Sequence, residues 1–404
     1  MKLRTMRTLI VGLLLISHAA LANENVDFLN WKEQFREQAR AQGITEKTVD
    51  QAMDSIRLLP RVIDLDSRQP EFTQTFLQYL SKRVTTDKLD EGRLLLEAHH
   101  NLLQSLQAEY GVDSHVLLAL WALESAYGKH QGNLDLLSAL ATLAYQGRRQ
   151  DFFENQLLIL LSLMDSDHYA TNSLQGSWAG AMGHMQFIPS TLKTYGIDGD
   201  ADGVIDLRRS LSDAMASAAN YLAKIGWNAG EPIAIEIVLP EGFNYQEAQL
   251  SIRKPIETWV EFGIRPVSLD AFPLVAGNAA ILLPQGHTGP AFMVFDNFDA
   301  IMDWNKSTNY ALSVAHLSNR LQGLPDISIQ EGGEPLTSPA DTSRLQELLI
   351  VAGYDPGDPD GIAGSKTQAA IREYQGRYGM IADGYPSQSL LNHMCERMAQ
   401  TPGN

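Results

Sequence analysis

The stretch Val112 to Gly128, VDSHVLLALWALESAYG, constrains the chain most, because a single acid interrupts an otherwise apolar run. Asp113 or Ser114 suits the cap of a helix and Gly128 its stop. Leu117, Leu120, Trp121 and Glu124 follow at i, i+3, i+4 and i+7, which places Glu124 on the buried stripe. A carboxyl held there loses hydration and sits near the negative end of the helix dipole, and both effects raise its pKa. An acid tuned in this way can donate a proton near neutral pH. The same burial also suits a glutamate paired with an arginine, and Arg148 and Arg149 are the partners at hand.

The N-terminus reads as an export signal: Lys2, Arg4 and Arg7, then an apolar core from Leu9 to Ile16, then Ala20-Leu21-Ala22, with cleavage after Ala22. No cysteine follows it to carry a lipid, and no later run is long enough to span a bilayer. A soluble periplasmic protein is expected. Cys395 is the only cysteine, so stability must come from packing without an intrachain disulfide. The net charge is −17, and removing the three positive residues of the signal brings it to about −20. Such a surface argues against nucleic acid and anionic membranes as partners.

From Asn25 to about Tyr110 the apolar spacing is helical throughout, as it is over Leu136–Tyr145 and Phe152–Met164. Gln146-Gly147-Arg148-Arg149 joins the last two, as a solvated corner or a ligand contact. The stretch SWAGAMGHMQFIPST, Ser177 to Thr191, is too rich in Gly and Ala to be periodic before Pro189 and Ser190 open a helix. Its small residues permit close backbone approach, which serves a tight packing loop or a cleft where Ser177, Gln186 and Phe187 meet a ligand. Asp198, Asp200, Asp202, Val204 and Asp206 have the oxygen spacing of a calcium loop, with Gly203 at position 6. Position 12 is Arg209 in place of the bidentate Glu, so Asp213 would have to close the shell. The alternative is an acidic turn capping the next helix.

Leu211–Gly226, with Asn220 and Tyr221, is again helical. Ile233–Leu239, Ala279–Leu283 and Ala291–Phe295 are β-rich runs parted by Pro and Gly, a small insertion at about 231–300. The turn Asp303-Trp304-Asn305-Lys306 precedes a helix from Tyr310 to Leu321. A Pro, Gly, Ser and Glu rich stretch, 326–340, reads as a linker. Beyond it, 341–398 is a compact unit of three helices, one stopped at Gly353, one begun at Ser365 or Lys366 and one near Ser387.

Four of these blocks together resemble a known family: ALWALESAYG around Glu124, the SWAGAMGHMQFIPST loop, NYLAKIGW from Asn220, and WNKSTNYA from Trp304. They look like the lytic murein transglycosylases of the B type. The tail, with Leu345-Gln346, Asp360-Gly361, Thr367, Gln375 and Asp383-Gly384, looks like the common three-helix peptidoglycan-binding domain. The resemblance implies a mainly α chain: a lysozyme-like catalytic domain over 23–325 with extra helices and a small β insertion, then the binding domain. It implies cleavage of the MurNAc–GlcNAc bond of peptidoglycan glycan strands without water, leaving a 1,6-anhydro end and requiring no cofactor. Glu124 matches the acid that later acts as base. Ser177 and Asn305 match contacts to the N-acetyl group and the reacting sugar, and Gln186, Phe187, Tyr221 and Tyr310 match cleft residues. Gln146 and Trp304 stand where the family can carry tyrosines, and the acidic loop matches a metal loop of some relatives. A two-carboxylate hydrolase would need a second acid, and none stands out in these blocks. A muramidase hydrolysing the same bond is the alternative enzyme, and a non-catalytic wall-binding protein the alternative class.

Overall fold

The computed structural model describes residues 26–67, 74–166, 168–170, 174–275, 277–328, 332–336 and 338–400. The expected signal, 1–22, and part of the expected linker lie outside them. The chain forms two compact units, one of residues up to 68 with 128–217, the other of 69–127 with 218 onward.

In the first unit, α1 (26–41), α2 (Glu46–Ser55) and α3 (Pro60–Ser67) precede the excursion into the second unit. Phe28, Phe35, Val49 and Met53 from these helices join one core with Leu140, Leu143, Phe153 and Leu157, the apolar faces read from the sequence. Buried hydroxyls stitch the pieces: Ser138 Oγ accepts from Arg57 N at 2.9 Å and Thr142 Oγ1 from Leu59 N at 2.9 Å.

The second unit begins with α4 (Phe76–Arg83), α5 (Thr86–Ala98), α6 (His100–Tyr110) and α7 (Ser114–Ser125). Helix α7 is the apolar stretch that carries Glu124. Asp113 caps it by accepting from His115 N, and Val116 through Leu123 are all buried. It does not run to Gly128. It ends at Ser125, where Ala126 (φ 49°) and Tyr127 (φ 59°) turn left-handed ahead of Gly128 (φ 83°). Two side-chain-bearing residues in that region cost about 1–2 kcal/mol each. Tyr127 is anchored by its phenol, which donates to Lys88 O at 2.8 Å, and by edge-to-face contact with Trp121.

Back in the first unit, β1 (Leu134–Asp135) leads into α8 (Leu136–Gln146), which packs on α9 (Gln150–Met164). The strand pairs antiparallel with β2 (Gln175–Gly176), Leu134 opposite Gly176. Next come α10 (Pro189–Tyr195), opened by proline as expected, and α11 (Leu211–Lys224), within which the first unit gives way to the second.

The β-rich runs of the sequence become β3 (Ala234–Val238), β6 (Asn278–Leu282) and β7 (Ala291–Val294). Two-residue edges, β4 (Lys254–Pro255) and β5 (Arg265–Pro266), complete an antiparallel sheet of order β4-β6-β7-β3-β5. Such short edges leave no periodicity to read. Its core surrounds Trp259 of α12 (Ile256–Glu261), fully buried with its indole donating to Ala279 O. After the sheet, α13 (Asp296–Trp304) and α14 (Thr308–Leu321) follow, and α14 packs along α7.

The tail is three helices, α15 (Pro339–Val351), α16 (Ser365–Arg377) and α17 (Gln388–Gln400). Two buried glutamines repeat one device. Gln346 accepts from Gly361 N and donates to Asp360, while Gln375 accepts from Gly384 N and donates to Asp383. Each clamps an Asp-Gly turn, so these signature residues of the tail hold the fold.

Candidate active site

Glu124 is the penultimate residue of α7, and its carboxyl is met by two donors from other elements of the same unit. Trp304, the last residue of α13, donates its indole N–H to Oε1 at 2.8 Å. Tyr310 donates its phenol to the same oxygen at 2.5 Å. The α13–α14 junction fixes both: Asn305 N closes α13 on Ile301 O, and Ser307 caps α14 by accepting from Tyr310 N. Tyr221 of α11 packs edge-on against the Trp304 ring at 5.0 Å.

Burial pushes the Glu124 carboxyl above the usual carboxylate range. The hydrogen bonds from Tyr310 and Trp304 and the charge of Arg83 pull the other way without prevailing. Although its surroundings desolvate it, the residue keeps partial exposure, as a proton donor must. Burial, then the neighbouring Glu124, pushes the Tyr310 phenol well above its ordinary value, so Tyr310 remains a donor at any physiological pH. The arginine that acts on Glu124 is therefore Arg83. Arg148, one of the partners expected for a merely structural Glu, pairs with Asp66 at 3.4 Å, and Arg149 lies over the rings of Phe152 and Phe153.

Asn305, just past α13, is partly exposed, and its side-chain amide makes no hydrogen bond among the described residues. It is available to a ligand. The remaining expected contacts lie in the first unit. Ser177 follows β2 and closes a tight turn, its N donating to Ala181 O at 2.7 Å and its Oγ accepting from Ala181 N at 3.1 Å. Gln186 adopts φ 49° and donates to Gly183 O and Gln131 O. Phe187 is buried and pairs with Met182 through both backbone bonds, so it holds the loop from beneath. Gln146 ends α8 in an exposed position.

In the acidic loop, oxygens of Asp198, Asp200 and Asp202 lie within 4.8 Å of one another. Asp198 accepts from Gly203 N at 2.8 Å, and Asp206 accepts from Arg208 N and Arg209 N. Asp213 is fully buried and spends both oxygens on the loop's own backbone, Gly199 N at 2.9 Å and Asp206 N at 2.7 Å. It ties the loop's two ends together. Hard oxygen donors gathered in this way fit a calcium ion, with Arg209 at position 12 leaving the shell one bidentate group short.

Sequence reasoning missed two residues, both on α4. Arg83 lies over the Tyr79 ring at 5.3 Å, Arg83 acts on Glu124, and both act on Tyr310. Helical spacing alone assigns Tyr79 to a core, and only the i, i+4 Tyr–Arg pair hinted at more.

A family model described as a transglycosylase SLT domain matches residues 27–319, and one described as a putative peptidoglycan binding domain matches 338–394. The chain belongs to the SLT transglycosylase family. It is 32% identical over 254 residues to the membrane-bound lytic murein transglycosylase B of Escherichia coli K12, covering 60% of this chain and 66% of that relative, just under two thirds of its length. Among solved structures, SltB3 of Pseudomonas aeruginosa in complex with NAG-anhNAM-pentapeptide is 40% identical at a TM-score of 0.86, covering 91% of this chain and 99% of that one. The lytic transglycosylase Slt35 of Escherichia coli in complex with calcium is 28% identical at a TM-score of 0.61, covering 72% and 92%. As a family member, the chain carries Glu124 at the end of a helix with aromatic donors on one of its oxygens. Among the described residues, no helix is long and apolar enough to cross a membrane.

Proposed function

We propose that this protein is a lytic transglycosylase that cleaves the MurNAc–GlcNAc β-1,4 bond of peptidoglycan strands without water, in the periplasm after loss of the first 22 residues. One observation carries the reading: Glu124 is a desolvated acid with both of its donors on Oε1. Oε2 is then the oxygen that carries and delivers the proton. Support comes from SltB3, whose complex holds an anhydro-sugar fragment.

In the first step neutral Glu124 protonates the leaving glycosidic oxygen from Oε2 as the C1–O bond breaks, and the substrate's own N-acetyl oxygen bonds to C1. The carboxylate left behind is stabilised by Tyr310, Trp304 and the field of Arg83. In the second step Glu124 takes the C6 hydroxyl proton while that oxygen bonds to C1 and expels the acetyl oxygen, so the carboxyl ends protonated as it began. The tethered C6 oxygen has an effective concentration orders of magnitude above bulk reactants, which favours ring closure over hydrolysis. The charge that acts on Glu124 is that of Arg83, a cation, whereas a hydrolase of the two-carboxylate kind works through a second acid.

Asn305, Tyr221, Trp304 and Tyr310 around Glu124 are proposed sugar contacts, and Ser177, Gln186 and Gln146 are proposed as such on their own unit, while Phe187, being buried, supports the loop that carries Gln186. Residues 23–325 form the catalytic domain, with the insertion at about 231–300, and 341–398 the wall-binding domain after the 326–340 linker. The acidic loop is a structural calcium site held by Asp198, Asp200 and Asp202, with Val204 and Asp206 completing the turn, and it takes no part in the chemistry. Mass spectrometry of muropeptides released from purified sacculi tests the reading. Anhydro ends, lighter than reducing ends by one water, are expected, and reducing ends would establish the muramidase alternative.

A further inference from the structure

Three features that each cost stability meet at one side chain, the phenol of Tyr127. Ala126 (φ 49°) and Tyr127 (φ 59°) hold left-handed backbone without being glycine. Gly92 stands in the middle of α5, where alanine is the better helix former. Tyr127 is buried, and a buried hydroxyl is costly unless it is hydrogen-bonded. Strained backbone of this kind persists only where its surroundings over-determine it, and it gathers at functional sites.

Three contacts hold Tyr127. The phenol donates to Lys88 O at 2.8 Å, and the ring packs edge-on against Trp121 with centroids 5.4 Å apart. A Cβ on Gly92 would overlap the phenol oxygen and press on Leu321 Cδ2 at 2.8 Å, so the absent side chain is the space that admits the tip of the ring. The acceptor is itself fastened. Lys88 N donates to Thr85 Oγ1, and the Lys88 ammonium donates at 2.9 Å to the carbonyl of Arg83, whose charge acts on Glu124. Burial, then the charge of Glu91, pushes the phenol above its ordinary value, so it stays a donor throughout the physiological range.

The anchor secures the end of α7. Ala126 N donates to Ala122 O at 3.1 Å and Tyr127 N to Trp121 O at 3.2 Å, closing the helix in the manner usually left to glycine. Glu124 lies inside the loop that the second bond closes, in a last turn of the kind that frays when nothing holds it. Its Oε1 has to meet Trp304 at 2.8 Å and Tyr310 at 2.5 Å, donors carried on α13 and α14. A misplacement of about 1 Å in a reacting group costs about a hundredfold in rate.

We propose that Tyr127 is a positioning residue for the reaction: seated against Gly92 and bonded to Lys88 O, it fixes the end of α7 so that Glu124 meets its two donors. The proposal rests on the reading of Glu124 as the reacting acid and adds the residue that sets its place. Tyr127 acts through Glu124.

Tyr127→Phe, Gly92→Ala and the double variant test this, with kcat and KM measured on soluble glycan strands at a temperature where thermal unfolding shows each variant folded. Tyr127→Phe is expected to lower kcat about tenfold and to leave KM within about twofold, because the acid is displaced while the sugar contacts stay. Gly92→Ala expels the phenol and should lower kcat further. In the double variant the phenol oxygen is gone and only the end of Leu321 has to move for the new methyl, so kcat should match that of Tyr127→Phe and not the product of the two losses. Full kcat in Tyr127→Phe, a loss confined to KM, or multiplied losses in the double variant would overturn the proposal. Should a protein carrying Gly92→Ala not fold, kcat and KM of Tyr127→Phe decide alone. The ends released by the wild type are read in the same assay. Anhydro ends with full kcat in Tyr127→Phe would remove the positioning role and leave the lytic reading standing, and reducing ends with the expected fall in kcat would do the reverse.

Discussion

Tyr310 gives its phenol proton to the same oxygen of Glu124 that Trp304 bonds, so the other oxygen is left to handle the reaction's proton. The phenol stabilises the ionised carboxyl more than the neutral one and thus holds its pKa below where burial alone would put it. Tyr310→Phe is expected to raise that pKa further and to move the alkaline limb of kcat upward in pH, since catalysis begins with the protonated acid. The rate itself should fall about ten- to a hundredfold, as the carboxylate formed in the first step loses a charge-assisted hydrogen bond. Trp304→Phe should act in the same direction. A pH–rate profile on soluble glycan strands checks this, and an alkaline limb that moved down would contradict the assignment.

Glu124→Gln should abolish release of muropeptides while stabilising the fold at neutral pH. Because the folded carboxyl titrates above its unfolded value, the unfolded chain releases a proton that the native state keeps. Stability from this group is therefore fully present below the unfolded value near 4.5 and is lost as pH rises through the folded pKa. Glutamine never ionises and can still accept from Trp304 and Tyr310. The variant's Tm should exceed the wild type's by a few degrees at pH 8, at roughly 2–4 °C per kcal/mol, and the gap should close at pH 4. Calorimetry at the two pH values decides it, and a lower Tm at pH 8 would mean that Glu124 is held in a stabilising ion pair.

The helices and the placing of Glu124 on a buried stripe were legible because apolar spacing and caps are local properties. Leu117, Leu120 and Trp121 are buried where the pattern put them, and α10, α11, α14 and α16 begin within two residues of their signals. The stop of α7 was not legible. Gly128 was the evident terminator, whereas tertiary anchoring of Tyr127 forces the turn at Ala126, a conformation that no local preference favours. Edges β4 and β5 are too short to show alternation. Tyr79 and Arg83 were hidden because a helix face carries no mark of the group it meets far along the chain, Glu124 for Arg83 and Tyr310 for both. The Gln-to-Asp-Gly clamps of the tail show in the sequence as a family signature while their physical reason stays hidden, since each glutamine meets its turn only after the chain has folded back on it.

Gly132 tests how strictly the Ser177 turn is built. It adopts φ +80°, and a Cβ there would come to 2.1 Å of the Gly176 carbonyl carbon, backbone that cannot rotate aside. Gly132→Ala therefore has to break the β1–β2 pairing that leads into Ser177. A loss of about 2–4 kcal/mol is expected, strain and lost pairing together. At a temperature where the variant is still folded, KM should rise more than kcat falls, because Glu124 and its donors are elsewhere in the chain. A variant with unchanged Tm would show that the turn is looser than its geometry.

The acidic loop makes the last prediction. Without metal, Asp198, Asp200 and Asp202 hold three negative charges with oxygens within 4.8 Å, relieved among the described residues by backbone N–H groups and by Ser210 Oγ on Asp200. Calcium binding to the folded state alone stabilises it by about 2.7 kcal/mol at a hundredfold excess over Kd, which should appear as a saturable rise in Tm of several degrees. Asp198→Asn removes one of the three charges and should weaken that response at least tenfold while leaving the anhydro product unchanged, because Glu124 needs no metal for its proton transfers. Chelation should lower the wild type's Tm and leave the variant's alone. If wild type and Asp198→Asn respond alike to millimolar calcium, the loop is a capping turn fastened by its own hydrogen bonds, with Asp213 closing its two ends.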